Sequence, residues 1–129
     1  MTNFDHLRAE FELSSPAAPG LVELLRRRYG PQVPEDYLEF LSAHDGAVGA
    51  IALLEPAAQV GQGSELHPEL EHLHDLVVFG SDGAGEAFAF TKDGTVVMIP
   101  WIGNREDAVS QGSFTRFLVR LLEDTLFDP

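Results

Sequence analysis

The stretch from Leu76 to Gly103 constrains the fold of this chain more than any other segment. It contains two turn signals between three apolar runs, which are Leu76–Phe79, Ala87–Phe90 and Thr95–Ile99. The second turn carries Asp93-Gly94, a pair that supplies the positive φ angles of a tight hairpin. We therefore predict three consecutive antiparallel strands, which form the central sheet on which the rest of the chain packs.

The turn between the first two predicted strands, Gly80–Glu86, is long and rich in glycine. Its backbone N–H groups could hold an anion, but no Gly-Lys-Ser/Thr follows, and a strand rather than a helix comes next. Asp82 and Glu86 would also repel phosphate, and the ligand spacing of a calcium loop is absent. A structural connection between strands is the favoured interpretation, and contact with a protein partner is the main alternative.

Length and composition predict one domain over residues 1–129, with a real hydrophobic core. The chain has no cysteine, which excludes disulfides, Cys-based zinc sites and cysteine nucleophiles. The N-terminal residues lack the apolar region of a secretory signal, and no run approaches the ~20 apolar residues that span a bilayer. We expect a soluble, cytoplasmic protein with no membrane association.

The charge is the unusual bulk property of this sequence. Eight basic and 21 acidic residues give a formal net charge of −13. Such a field repels nucleic acid and anionic membranes, and it steers cationic partners toward the protein. The alternative is that the charge serves only solubility. Under either interpretation, nucleic-acid binding is disfavoured.

Three helices are predicted from apolar spacing. The first covers Leu21–Tyr29, ends at Gly30-Pro31, and carries Arg26-Arg27-Arg28 where cations suit the helix dipole. The second begins at Pro34 and stops near Gly46, a plausible left-handed C-cap residue. The third follows Ser113, a predicted N-cap, and its apolar stripe is formed by Phe114, Phe117, Leu118, Leu121 and Leu122.

The remaining segments are less regular. Alternation over Ala9–Leu13 suggests a short strand, and Val48–Leu54 reads as one small apolar strand. Glu55–Leu73 is a polar connection that contains a helical turn at Pro68–Leu73.

Three motifs occur in a fixed order along the chain. They are Val33–Leu41 followed by Asp45-Gly46, then Val78–Gly83 leading into Ala87–Phe90, and last Gly112–Leu118. Together they resemble the SUKH superfamily, the Smi–Knr fold, whose pattern is a Leu-Pro-x-x-Tyr-x-x-Phe-Leu helix closed by Asn-Gly-Gly. Here Val33 replaces the Leu and Asp45-Gly46-Ala47 replaces Asn-Gly-Gly, but Asp also tolerates the left-handed region. The resemblance covers about residues 21–122, which we take as the core of the domain.

The resemblance implies an α+β fold in which a mostly antiparallel central sheet is flanked by helices. It also implies binding rather than catalysis, because the family has no shared catalytic set. Bacterial members are commonly immunity proteins that neutralise a toxin, often a nuclease, and eukaryotic relatives are regulatory scaffolds. An acidic immunity protein facing a basic nuclease makes physical sense, since complementary charge accelerates their encounter.

The candidate partner-binding residues are four acids and the single tryptophan: Asp82, Glu86, Trp101, Glu106 and Asp107. The acids would engage a basic partner. Tryptophan is enriched at interface hot spots, but packing in the core or at its rim is the favoured role of Trp101. The partner, its interface residues and the oligomeric state are not determined by the sequence.

A small-ligand or metal site is the competing hypothesis. His67, His72 and His74 lie near several carboxylates, but no His-Glu-x-x-His occurs, and His72 and His74 would lie on different sides of a helix. His44 beside Asp45 resembles a catalytic pair, although adjacent residues at a helix end usually cap it. No Gly-x-Ser-x-Gly elbow supplies a nucleophile. We therefore expect no catalytic residue, metal or cofactor.

Overall fold

A computed structural model describes residues 4–50, 52–65, 67, 69–123 and 126, without the side chains of residues 63 and 64. Seven strands form one antiparallel sheet, in which each strand pairs with the next along the chain. The strands are β1 (Phe11–Leu13), β2 (Ala47–Gly49), β3 (Leu53–Leu54), β4 (Val77–Ser81), β5 (Glu86–Phe90), β6 (Val96–Pro100) and β7 (Val109–Gly112). The helices are α1 (Pro19–Tyr29), α2 (Glu35–Ala43), α3 (Gln62–Glu65) and α4 (Phe114–Glu123). The predicted α+β class is confirmed.

The three strands predicted at the centre of the sheet are confirmed as β4, β5 and β6. The hairpin between β5 and β6 is closed by the Thr91 amide, which donates to the Thr95 carbonyl oxygen at 2.9 Å. Gly94 has a φ of +84°, and the Asp93 carboxylate accepts a hydrogen bond from the Thr95 amide. The Asp-Gly signal therefore acts as predicted.

Both faces of the central sheet are buried, and residue size rather than polarity alternates along β5. Phe88 and Phe90 point to the face covered by the large helices and belong to the main core. Ala87 and Ala89 point to the other face, where they join a smaller apolar cluster. A strand buried on both sides reads as a continuous apolar run, which is how β5 looks in the sequence.

Tyr37 of α2 lies at the centre of the main core and is fully buried. Its ring centroid is 5.3 Å from that of Phe79, 4.9 Å from Phe90 and 5.0 Å from Phe114. The aromatic cluster thus joins α2, the sheet and α4.

The N-terminus of α4 is capped as predicted and is also tied to α2. The Ser113 hydroxyl oxygen accepts a hydrogen bond from the Arg116 amide at 3.1 Å. The Asp36 carboxylate accepts from both the amide and the hydroxyl of Thr115, at 3.0 and 2.9 Å. A carboxylate at this position also suits the positive end of the helix dipole.

The prediction of one strand over Val48–Leu54 is wrong, because the chain reverses within it. Strands β2 and β3 pair antiparallel, with Ala47 opposite Leu54, and the Gly49 amide donates to the Ala52 carbonyl oxygen at 2.8 Å. A Cβ on Gly49 would lie 2.8 Å from the Phe11 ring. This turn depends on close approach of the backbone to a distant side chain, which local sequence does not reveal.

The predicted C-cap role of Gly46 is also wrong. Helix α2 ends at Ala43, and its C-cap residue is His44 in an extended conformation. Gly46 does have positive φ, +96°, but two residues later. A Cβ there would lie 2.6 Å from the Leu54 carbonyl oxygen, so the position needs glycine because β3 passes beside it.

The N-terminal segment differs from prediction in its extent. Residues Asp5–Ala9 form a 3-10 helix, and β1 begins only at Phe11. Phe4, Leu7 and Phe11 are buried in the main core, which therefore extends beyond the 21–122 span.

Two further expectations are corrected by the structure. The first helix is predicted from the helical spacing of Leu21, Val22, Leu24, Leu25 and Tyr29, which we expect to be its buried face, but Leu24 is 55% exposed. The helical turn predicted over Pro68–Leu73 is a 3-10 helix limited to Glu71–Leu73, and Pro68 lies outside the described residues. Among the described helices, none combines the length and apolar character needed to cross a membrane.

Candidate partner-binding site

Four of the five predicted partner-binding residues meet at the end of the sheet where β5 begins and β6 ends; they are Asp82, Glu86, Trp101 and Asp107. Glu106, the fifth, precedes Asp107 in the chain. Glu86 is the first residue of β5 and lies opposite Pro100, the last residue of β6. The Trp101 amide donates to the Gly85 carbonyl oxygen at 2.9 Å, which joins the two connections. We call the four carboxylates at this place the acidic end; its members are Asp82, Glu86, Glu106 and Asp107.

Asp82 shapes the loop before β5. Its carboxylate oxygen Oδ1 accepts hydrogen bonds from the amides of Ala84 and Glu86, at 2.8 and 3.0 Å. Gly83 and Gly85 both have positive φ, as the tight path of the loop requires. Because Asp82 already uses two of the loop amides, the loop does not present them to an anion.

Glu86 is held close to other negative charge. Its partial burial raises the pKa of the Glu86 carboxyl above its ordinary value, and the charges of Asp82 and Asp107 raise that pKa further. The carboxylates of Asp82, Glu86 and Asp107 therefore interact electrically, although Asp107 lies on a different connection from the other two. A cation placed among them would relieve this repulsion.

Glu106 and Asp107 lie on the 3-10 helix Arg105–Asp107, which follows β6. The Asp107 side chain accepts a hydrogen bond from the Asn104 amide at 3.0 Å and completes a capping box. Glu106 is exposed. Asp107 is exposed as well, but its carboxylate also has a structural role in the cap.

Trp101 lies beside the acidic end at the rim of the smaller apolar cluster. It is partly buried and packs against that cluster on the second face of the sheet. The next residue, Ile102, is 90% exposed. Ile102 is not among the residues predicted from the sequence, because the residues that flank it do not indicate that its side chain is exposed.

The arginines of the chain are mostly occupied elsewhere. In the part of the chain that the structure describes, ion pairs with acids involve at least five basic residues; they are Arg8, Arg26, Arg27, Arg28 and Arg105. All three members of the Arg26-Arg27-Arg28 run are in this set, which agrees with a structural role for that run. No ion pair to the acidic end occurs within the part of the chain that the structure describes.

The histidines considered as zinc ligands do not converge. Nε2 of His72 lies 2.8 Å from the Pro100 carbonyl oxygen, Nδ1 of His74 contacts the Glu71 carbonyl, and His67 contacts Glu69. Over residues 4–50, 52–65, 67, 69–123 and 126, no group of three His, Asp or Glu residues is arranged to hold a metal.

The side chains of His44 and Asp45 contact the backbone of other segments rather than each other. Nδ1 of His44 lies 2.9 Å from the Ser14 carbonyl oxygen, and the Asp45 carboxylate accepts from the Ala57 amide at 2.7 Å. These contacts fix the segments on either side of β2 and β3. The geometry gives no support to a catalytic pair.

A cavity of about 160 Å³ on the second face of the sheet was also missed. Its polar lining comes from the Glu55–Leu73 connection, and Trp101 forms part of its wall. The lining residues Glu55, Gln59 and Gln62 have helical spacing in the sequence, i, i+4 and i+7. That spacing is a signal, although these three residues lie on no common helix: the 3-10 helix Ala57–Gln59 ends before α3 begins at Gln62.

Comparison of the sequence with protein-family models finds no matching family, and comparison with curated proteins finds no match either. The resemblance to the SUKH superfamily therefore depends on the three motifs alone.

Proposed function

We propose that this protein is a non-enzymatic protein-binding module of the SUKH type, an immunity protein that neutralises a basic, nuclease-type toxin. The acidic end, together with Trp101, is its partner-binding surface. The protein would act in the cytoplasm, where a nuclease toxin has its target.

The acidic end is the observation that carries this proposal. Its carboxylates form no ion pair with the described cations, and the pKa of Glu86 is raised first by burial and then by repulsion from the charges of Asp82 and Asp107. A basic partner would remove that repulsion, and complementary charge would speed association. Trp101 and the exposed Ile102 supply apolar contact beside the charges, which is the composition of many interface hot spots.

The positions of the motif residues agree with a SUKH-type module. Tyr37, Leu38, Phe40 and Leu41 of the first motif are all buried. The second motif forms β4 and the loop before β5, and the third begins α4. These residues are accounted for by folding, which leaves the surface loops to determine the partner.

Co-expression tests the proposal directly. The basic, toxin-like product of a neighbouring gene is expressed with and without this protein, and cell survival is measured together with capture of one protein by the other. We expect survival and a stable complex only with this protein present. Lack of both protection and binding, with the toxin active and this protein folded, would contradict the immunity function.

A matched pair of variants locates the surface. The variant Glu86→Gln/Glu106→Gln removes two charges from the acidic end. The control Glu10→Gln/Glu12→Gln removes two charges at exposed positions on and beside β1, a strand at the edge of the sheet. Both variants have the same net charge, so a loss of protection confined to the first identifies the acidic end.

A further inference from the structure

We propose that the cavity lined by Glu55, Gln62 and Trp101 is a receptor pocket for one arginine side chain of the protein partner. The inference rests on the proposed function, because it concerns how the same basic partner is held. It adds a specific binding site to the charged surface.

The position of the cavity connects it to the acidic end. Trp101 lines the cavity and also donates its backbone amide to Gly85 in the loop before Glu86. Val78 and Gly80 of β4 form its floor. A partner lying on the acidic end would therefore have the cavity within reach of its side chains.

The Glu55 carboxylate is the charged group of the cavity. Glu55 is fixed by its backbone amide, which donates to the Phe79 carbonyl oxygen at 2.8 Å. Among the described residues, no hydrogen bond or ion pair reaches its carboxylate. Burial raises the pKa of Glu55 above its ordinary value, as expected of a carboxylate that lacks a cation.

The neighbouring polar groups offer hydrogen-bond acceptors. The Gln62 side-chain nitrogen donates one of its two hydrogens to the Ala58 carbonyl oxygen at 3.0 Å, which orients the amide, and its oxygen is an acceptor for a ligand. Nδ1 of His67 lies 3.1 Å from a Glu69 carboxylate oxygen, which accepts only. That contact therefore places a ring hydrogen on Nδ1.

These acceptors select a donor-rich cation. A guanidinium group has five N–H donors in one plane, pairs with a carboxylate through two hydrogen bonds, and stacks on an indole face. Of the described residues that line the cavity, none is Lys or Arg, so no internal cation occupies the position. The volume, about 160 Å³, is below the roughly 300–1,000 Å³ of sites for drug-sized ligands and suits one side chain.

The intrinsic fluorescence of Trp101 reports occupancy, since it is the only tryptophan in the chain. The probes are blocked arginine, N-acetyl-L-arginine N-methylamide, and the corresponding citrulline compound, which has nearly the same shape without the charge. We expect a saturable fluorescence change with blocked arginine and at least tenfold weaker binding of blocked citrulline. Equal responses to the two probes, or no response to either, would overturn the inference.

The variant Glu55→Gln keeps the shape of the side chain and removes its charge. We expect it to weaken the binding of blocked arginine at least tenfold, while the control Glu12→Gln, at an exposed position on β1, changes that binding less than twofold. Glu55→Asp keeps the charge and should bind better than Glu55→Gln. Circular dichroism and thermal unfolding verify that each variant is folded, and unchanged binding by folded Glu55→Gln would overturn the inference.

Two comparisons separate this inference from the proposed function. Free L-arginine is titrated beside the blocked compound; tighter binding of the free amino acid would contradict a side-chain receptor and indicate a small-molecule ligand. If Glu55→Gln binds the basic partner as tightly as the wild type, the cavity proposal fails while the proposed function stands. If blocked arginine binds through Glu55 but no partner is neutralised, the cavity is an arginine site and the proposed function fails.

Discussion

The two tyrosines of this chain should respond in opposite ways to the same substitution. Tyr37 is fully buried at the centre of the aromatic core, and its hydroxyl oxygen has no hydrogen-bond partner among the described residues. Tyr29 is partly exposed, and its hydroxyl donates to the Glu65 carboxylate at 3.2 Å. Removal of the hydroxyl therefore eliminates an unfavourable group in Tyr37→Phe and a favourable contact in Tyr29→Phe.

The size of the Tyr37 effect follows from its surroundings. A buried hydroxyl without a partner costs about 1–3 kcal/mol relative to water. Removal of the oxygen also leaves a small space among closely packed aromatic neighbours. The cost of that space offsets part of the stabilisation gained by removing the hydroxyl. We expect Tyr37→Phe to raise the free energy of unfolding by about 1 kcal/mol, which corresponds to roughly 3–5 °C in Tm for a chain of this length. Tyr29→Phe should lower it by about 0.5 kcal/mol.

Urea denaturation measured by Trp101 fluorescence and by far-UV circular dichroism supplies both values. Coincident transitions from the two probes establish that unfolding is two-state. A loss of 1 kcal/mol or more in Tyr37→Phe would refute the reasoning, since it would mean that the hydroxyl is hydrogen-bonded in the native protein. The pKa of Tyr37 is expected far above its ordinary value, through burial first and then the charges of Asp45 and Glu55. Spectrophotometric titration should therefore show only Tyr29 ionising while the protein stays folded.

Two further substitutions test the acidic end and the turn after α2. Glu86→Gln should stabilise the protein by roughly 0.5 kcal/mol at pH 7. The sign follows from the raised pKa: the folded state holds its proton to higher pH than the unfolded chain, so this carboxyl lowers stability as the pH rises through that interval. The gain in stability from Glu86→Gln should vanish at pH values below that interval. Urea titrations that show the same difference in stability between variant and wild type at every pH would contradict this explanation. Gly46→Ala should cost roughly 2 kcal/mol or more, because it combines positive φ with a 2.6 Å approach to a backbone oxygen. Gly83→Ala has the same sign of φ but open space, so about 1 kcal/mol is expected, and equal losses would exclude the steric explanation.

The elements that were predicted correctly are those whose signals are local. The Asp93-Gly94 hairpin, the N-cap at Ser113 and the apolar spacing of α2 each depend on residues a few positions apart. Their energies do not require knowledge of the rest of the chain. The α+β class follows from these elements together.

The errors occurred where distant segments meet. Gly46 and Gly49 fold as they do because β3 and Phe11 lie against them, contacts that span up to about 40 residues in sequence. Likewise Leu24 is one of the apolar residues from which α1 is predicted, but its side chain is 55% exposed, because burial depends on which other segments pack against the helix. Local patterns do not contain this information.

In the candidate site, too, local composition predicts individual residues, whereas contacts between distant segments determine which of them lie together. The acids of the Gly80–Glu86 loop and of the loop after Trp101 were selected separately by composition, and the pairing of β5 with β6 places them together. The cavity around Glu55 was not predicted, because its floor is β4 and its wall is Trp101, both remote from the connection that supplies its polar groups.

The most direct test of the account measures the association rate with the basic partner at several salt concentrations. The account predicts that the rate falls as salt rises, and that Glu86→Gln/Glu106→Gln slows association several-fold at low salt. Glu10→Gln/Glu12→Gln, with the same net charge, should associate at nearly the wild-type rate. Equal slowing in the two variants would show that only total charge matters, and it would contradict a binding surface at the acidic end.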